Sequence, residues 1–183
     1  NGRRRFDIPA EDLEARRQAV REWARMTDNK VIIFMNHGGG SNTPRIFAED
    51  IKAYKDIAMG EDVWPPFRGG ALGKPGFTHL NYYVAARLQW DSDLDLDDML
   101  DEYYRLFYGP VAGEMRAFID FYEVNQKKFG PVETAPVLEQ ALDLFGRAEG
   151  KVAPDSIYGK RIALFAEGVD RLKQAVPQCS IQH

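Results

Sequence analysis

The chain has 183 residues, 44% of them hydrophobic and 12% aromatic, with a net charge of -4. That length allows one good core, or one domain with an appendage, and the scattered basic residues exclude the clustered stripe of a nucleic-acid surface. No apolar run approaches the roughly 20 residues that cross a bilayer, no signal-peptide pattern is present, and a single cysteine, Cys179, excludes an intramolecular disulfide. Arg3-Arg4-Arg5 reads as a solvated end. The opening "NGRRRFDIP" has no initiating methionine, and the expectation is that an upstream portion is missing.

From Pro9 to Met26 the pattern is helical. Pro9 suits a first helical position, and Leu13, Val20 and Trp23 give a partial apolar face. Thr27, Asp28 and Asn29 break it. "KVIIFMN", Lys30 to Asn36, is a continuous β-branched and aromatic run, which predicts a strand buried on both faces, as in a parallel sheet. "HGGGSN" follows as a loop, and Thr43-Pro44 opens a second helix with Ile46, Phe47, Ile51 and Tyr54 turned inward. Helix, strand, loop, helix is α/β grammar. Residues 59–78, "MGEDVWPPFRGGALGKPGFT", hold five Gly and three Pro and show no period; a loop this long inside a compact domain is often functional. A lone buried strand leaves backbone groups unpaired. Either further strands lie in this loop or the chain ends a larger α/β domain.

Everything after the loop reads as helical, near 79–90, 95–107, 111–129, 135–148 and 156–176. Gly109-Pro110, Gly130-Pro131 and the stretch from Gly150 to Pro154 punctuate these helices. The predicted organisation is an α/β region over residues 1–90, then an all-α domain over 91–183, mostly helical overall. Met99, Leu100, Tyr103, Phe107, Phe118, Phe121, Leu142, Phe145, Phe165 and Leu172 form its expected core.

Several side chains are candidates for chemistry. Asn36 and His37 stand where a strand meets a Gly-rich loop, and the carboxyl ends of parallel strands line ligand sites. His37 there serves as a base or a hydrogen-bond donor, or else simply caps the loop. Gly38-Gly39-Gly40 lacks the Lys-Ser/Thr of a phosphate loop. Glu61 and Asp62 are the candidate catalytic carboxylates, set beside Trp64, Phe67 and Arg68. Aromatic rings stack on sugars while carboxylates do acid and base work, although an adjacent pair does not itself make two opposed carboxylates. The bland alternative is two solvated acids. Trp64 and Arg68 are candidate substrate-binding residues, Arg68 able to hold a substrate carboxylate by two parallel hydrogen bonds. Trp64 and Phe67 equally suit a plug beneath the fold. Asp91, Asp93, Asp95, Asp97 and Asp98 lack the glycine of a calcium loop and read as helix N-capping. No metal site is expected.

"LNYYVAARLQWDSDLDLDDMLDEYYRLFYG" carries Asn81, Tyr83, Arg87, Leu88, Trp90, Asp91 and Leu94, followed by "EYYRLFYGP". It resembles the stretch that closes the catalytic barrel and begins the helical region of α-glucuronidase-like glycoside hydrolases. The likeness is closer still to a bacterial family of unassigned function built on that plan. "RIFAEDIKAYKDIA" resembles the last barrel helices of the same group, so the likeness runs over roughly residues 30 to 125. The resemblance implies a (β/α)8 barrel with its site at the strands' carboxyl ends, a carbohydrate substrate and no cofactor. It also implies a periplasmic or secreted setting. Asn81 and Tyr82 would then lie at the pocket rim as substrate-binding residues, and Arg87 and Trp90 would tie the last barrel helix to the helical domain. A full barrel needs at least about 200 residues, so the expectation is a C-terminal piece: the last barrel units plus the helical domain, hydrolysing a glycosidic bond through two carboxylates. The alternatives are a non-catalytic module that binds a glycan or a partner protein, and a self-contained domain of unrelated function.

Overall fold

The computed structural model of the chain describes residues 10–35, 44–63, 75–125 and 135–180. In order these form α1 (Ala10–Arg25), β1 (Val31–Met35), α2 (Pro44–Tyr54), β2 (Ala58–Val63), α3 (Pro75–Trp90), α4 (Leu96–Tyr108), a 3-10 turn (Gly109–Val111), α5 (Ala112–Asn125), α6 (Ala135–Glu149) and α7 (Ile157–Ser180). The protein is mostly helical, with a small parallel sheet in which β1 and β2 are neighbours. Among the described residues no helix is long and apolar enough to cross a membrane.

β2 overlaps residues 59–78, the segment expected to be a loop or to hold further strands. "AMGEDV" has no β-branched run and carries a glycine, so it shows little strand propensity. Its pairing with β1 overrides that local weakness, as strand propensity commonly yields to context. α3 likewise begins at Pro75, ahead of the expected 79, with proline at the first helical position, where its missing N–H costs nothing.

The expectation that β1 is buried on both faces does not hold. Val31 and Ile33 are 9% and 8% exposed, whereas Ile32 and Phe34 are 56% and 51% exposed. The alternation is that of a sheet covered on one side only. Val31, Ile33 and Tyr54 pack with Val20, Ala24 and Ile57, so α1 and α2 cover that side. Trp23, expected on the apolar face of α1, is exposed instead.

The main core runs without a break across position 90. It takes Ala48 and Ile51 from α2, Leu80, Val84 and Leu88 from α3, and continues through α4, α5 and α6 to Val169 of α7. Phe118, Phe145 and Phe165 meet at its centre, with ring centroids 5.2 to 6.2 Å apart. Of the expected core, Met99, Leu100, Tyr103, Phe118, Phe145 and Phe165 are buried. Phe107, Phe121 and Leu142 pack at its margin, and the Leu172 side chain lies outside the described residues. Gly76 of α3 faces the backbone of Leu164 in α7 so closely that a Cβ would collide with it.

Polar links join the layers. Arg17 donates to buried Asp50 at 3.0 Å, tying α1 to α2. Arg87 donates to the Tyr83 hydroxyl at 2.9 Å and reaches Glu102 at 3.4 Å, tying α3 to α4 as expected. Trp90 takes no part in that tie: it is 93% exposed. The acidic run does cap its helix, since the Asp95 carboxylate accepts from the Asp98 backbone N–H at 3.0 Å. Gly109 closes α4 at φ 53°, a left-handed conformation suited to glycine.

Candidate functional site

The register of β2 separates the two candidate acids. Ile33 pairs with Glu61 and Phe34 with Asp62. Register partners point to the same face, and successive residues point to opposite faces. Glu61 therefore shares the helix-covered face with buried Ile33, and Asp62 shares the bare face with Phe34. The surroundings agree: Gln89, near the end of α3, donates from Nε2 to Glu61 Oε2 at 3.2 Å, while Asp62 is exposed. The two carboxylates do not converge on one space.

Glu61 lines a cleft of about 220 Å³ between the sheet and the carboxyl-terminal ends of α2 and α3. Ile33, Ile51 and Leu88 supply apolar walls, and Gln89, Lys55 and Ser92 supply polar ones. The Lys55 ammonium is drawn to Asp93 at 2.6 Å. That bond raises the lysine above its ordinary value and lowers the aspartate below its own. Sequence reasoning missed Gln89 and Lys55 as site residues. The only available signal for Gln89 was a polar side chain among the apolar residues "VAARLQW".

Two rim candidates lie on α3. Asn81 is fully buried, closed off from solvent. This corrects its expected rim position: it falls on the core face of the helix with its neighbours Leu80, Val84 and Ala85, all buried. Tyr82 is half-buried; its hydroxyl is shielded and meets no hydrogen-bond partner among the described residues, and burial pushes its phenol upward. Asn36, His37, Trp64 and Arg68 lie outside the described residues, as does Phe67.

His79, which fits no ligand pattern in the sequence, hydrogen-bonds through Nε2 to the Tyr103 hydroxyl. Tyr103 in turn donates to Tyr108 at 3.5 Å. Around this chain stand the rings of Phe107 and Phe165. It is a polar thread through an aromatic core, and burial pushes the Tyr103 and Tyr108 phenols well up.

Comparison of the chain with protein-family models, with curated proteins and with solved structures finds no match in any of the three.

Proposed function

We propose that this chain supplies the last units of a (β/α)8-type barrel and the helical domain of a glycoside-hydrolase-like protein. The substrate would be a glycan or a uronic-acid-containing sugar. The observation that carries the reading is the sheet's one-sidedness. β1-α2-β2-α3 is a run of parallel β/α units whose helices cover one face, while the other presents Ile32, Phe34 and Asp62. In a barrel the bare face is the interior, completed by further strands, and catalytic groups come from the strands' carboxyl ends. Asp62 stands next to the last residue of β2 on that face. We assign it the acid role in two-carboxylate hydrolysis, with the opposing carboxylate on another segment. Glu61, turned to the helices and held by Gln89, fixes β2 against α3 instead of acting on the sugar. In sequence His37 and Arg68 follow the ends of β1 and β2 by two and five positions, and Asn36 and Trp64 by one each, which suits all four to substrate contact. Asn81 supports α3 from within, leaving Tyr82 as its rim residue.

The alternative is a non-catalytic module that binds a glycan or a partner protein. It is favoured by the same split: no described surface presents both acids. The two readings separate in a hydrolysis assay on the longest natural chain, using aryl glycosides and aryl glucuronides. Asp62→Asn lowers kcat/KM by about 10²–10⁴, the usual worth of a general acid or base, and Glu61→Gln lowers it far less. Glycan binding without turnover in the unaltered chain would leave the module reading.

A further inference from the structure

We infer that the Tyr104 hydroxyl is one wall of a water-binding site between α4 and α5, where a single bound water joins it to the Asp120 carboxylate. Tyr104 is 2% exposed, and its hydroxyl is closed off from solvent with no hydrogen-bond partner among the described residues. A hydroxyl buried in that way loses its bonds to water and gains nothing in return. In folded proteins such groups are as a rule bonded, either to protein or to an ordered water. The neighbouring tyrosine does not serve it. The Tyr103 hydroxyl is already shared with His79 and Tyr108, and its ring stands edge-on to that of Tyr104, 5.4 Å between centroids.

The polar groups within range lie on α5. Arg116, Asp120 and Glu123 recur at spacings of four and three, which puts them on one face of that helix. The Arg116 guanidinium lies over the Tyr104 ring, 5.8 Å from its centroid, so this face meets α4 at Tyr104. Asp120 and Glu123 both act electrostatically on the Tyr104 phenol, yet neither accepts a bond from it. Glu123 is taken up by the Arg45 guanidinium and backbone N–H. Asp120 gives Oδ1 to Arg45 at 2.9 Å, while Arg116 Nε stands 3.6 Å from Oδ2, beyond the reach of a hydrogen bond. Asp120 Oδ2 therefore keeps acceptor capacity. A bridging water spans a gap too wide for a direct bond: it accepts the Tyr104 O–H and donates to Oδ2. Two polar partners are the fewest that hold an internal water. The Asp120 side chain is 35% exposed, which gives the water a way in. The site uses none of the residues assigned to sugar cleavage and stands whether or not that assignment holds.

The test is Tyr104→Phe, which keeps the ring and removes only the hydroxyl. An unpaired hydroxyl and a water-bonded one give opposite results. Loss of an unpaired hydroxyl leaves stability unchanged or raises it, because a buried polar group without a partner is a cost. Loss of a water-bonded one lowers the folding constant in urea melts roughly three- to tenfold, the usual worth of a hydrogen bond. On an Asp120→Ala background the same substitution has less than about a twofold effect, since the partner across the water is already gone. Oxygen-17 relaxation dispersion of the solvent, which counts long-lived waters without a contribution from hydroxyl protons, shows one fewer in Tyr104→Phe than in the unaltered chain. A folding constant that is unchanged or raised in Tyr104→Phe, a loss that persists in full on the Asp120→Ala background, or an equal count of long-lived waters overturns the proposal. Should Tyr104→Phe not fold, Asp120→Ala carries the water count: it too loses one, and an equal count there overturns the site.

Discussion

Arg45 and Glu123 stand 78 positions apart in sequence, and the Arg45 guanidinium donates to the Glu123 carboxylate at 2.7 Å. The same carboxylate accepts the Arg45 backbone N–H at 3.0 Å, in the first turn of α2, and Asp120 accepts from the guanidinium at 2.9 Å. One acid of α5 thus satisfies a free helix N–H and pairs with a cation of the α/β front. Burial pushes the Glu123 carboxyl above its ordinary value of 4.5 even though the bonds from Arg45 pull it down. Arg45→Ala removes the cation and the guanidinium donor from a carboxylate only 8% exposed and is expected to cost about 2–3 kcal/mol near neutral pH. Glu123→Gln keeps an acceptor for the N–H and costs less. The pH dependence has a definite sign. A carboxyl raised in the folded state binds its proton more readily there than in the unfolded chain, so stability from this group falls as pH rises from 4.5 upward. Removing Arg45 strengthens that effect. Urea unfolding of Arg45→Ala is therefore expected to show a smaller deficit at acid pH than at neutral pH; a deficit that grows on acidification would count against this arrangement.

The aromatic core separates two phenylalanines one helical turn apart on α5. Phe118 is fully buried between Phe145 and Phe165, while Phe121 packs at the margin. Phe118→Ala is expected to cost about 3–5 kcal/mol, the transfer of the ring plus the cavity it leaves, and Phe121→Ala clearly less. Equilibrium urea melts of both variants check the order, and equal losses would place Phe121 deeper than its packing allows.

Tyr103, Tyr104 and Tyr108 make alkaline unfolding predictable. Burial is the main cause raising each phenol above its ordinary value of 10.0. Their protonated state stabilises the fold fully below that value, and the contribution is lost as pH rises past it, because the unfolded chain releases those protons first. Absorbance near 295 nm is expected to show these three tyrosines ionising in a cooperative step that coincides with loss of the helical circular-dichroism signal. Smooth ionisation of every tyrosine while the helices persist would contradict the burial of this cluster.

Periodicity made the helices legible, because each carries enough apolar residues at helical spacing to define a face: Met99, Leu100 and Tyr103 on α4 were readable without any partner in view. Asp95 was equally readable as a cap, since capping is local chemistry. β2 was not, because "AMGEDV" owes its strand conformation to β1, which lies outside any local window. Trp23 misled for a related reason. An aromatic residue at a helical position is a good core candidate, but whether another element arrives to cover it is a matter of tertiary placement. The candidate site suffered most. Adjacent acids look like a pair in sequence, yet in a strand adjacency means opposite faces, and Glu61 and Asp62 could be sorted only once residues 58–63 were known to be extended.

The same alternation yields a test of the one-sided sheet. Ile32 and Ile33 are chemically identical neighbours on β1, and they differ in exposure: 56% against 8%. Ile33 packs beneath the helices and lines the cleft with Glu61; Ile32 points to the bare face. Ile33→Ala removes buried methyl groups and leaves a void, at an expected cost of about 2–4 kcal/mol. Ile32→Ala on the same chain removes surface already in water and is expected to cost less than about 1 kcal/mol. Thermal or urea melts of the two variants give the comparison directly. The gap between them measures how far one face of β1 is uncovered. Were the barrel reading correct, adding the strands that complete it would raise the cost of Ile32→Ala toward that of Ile33→Ala, because the bare face would become an interior. Equal costs in the chain as it stands would mean that something already covers Ile32, and the support drawn from the bare face would fall with it.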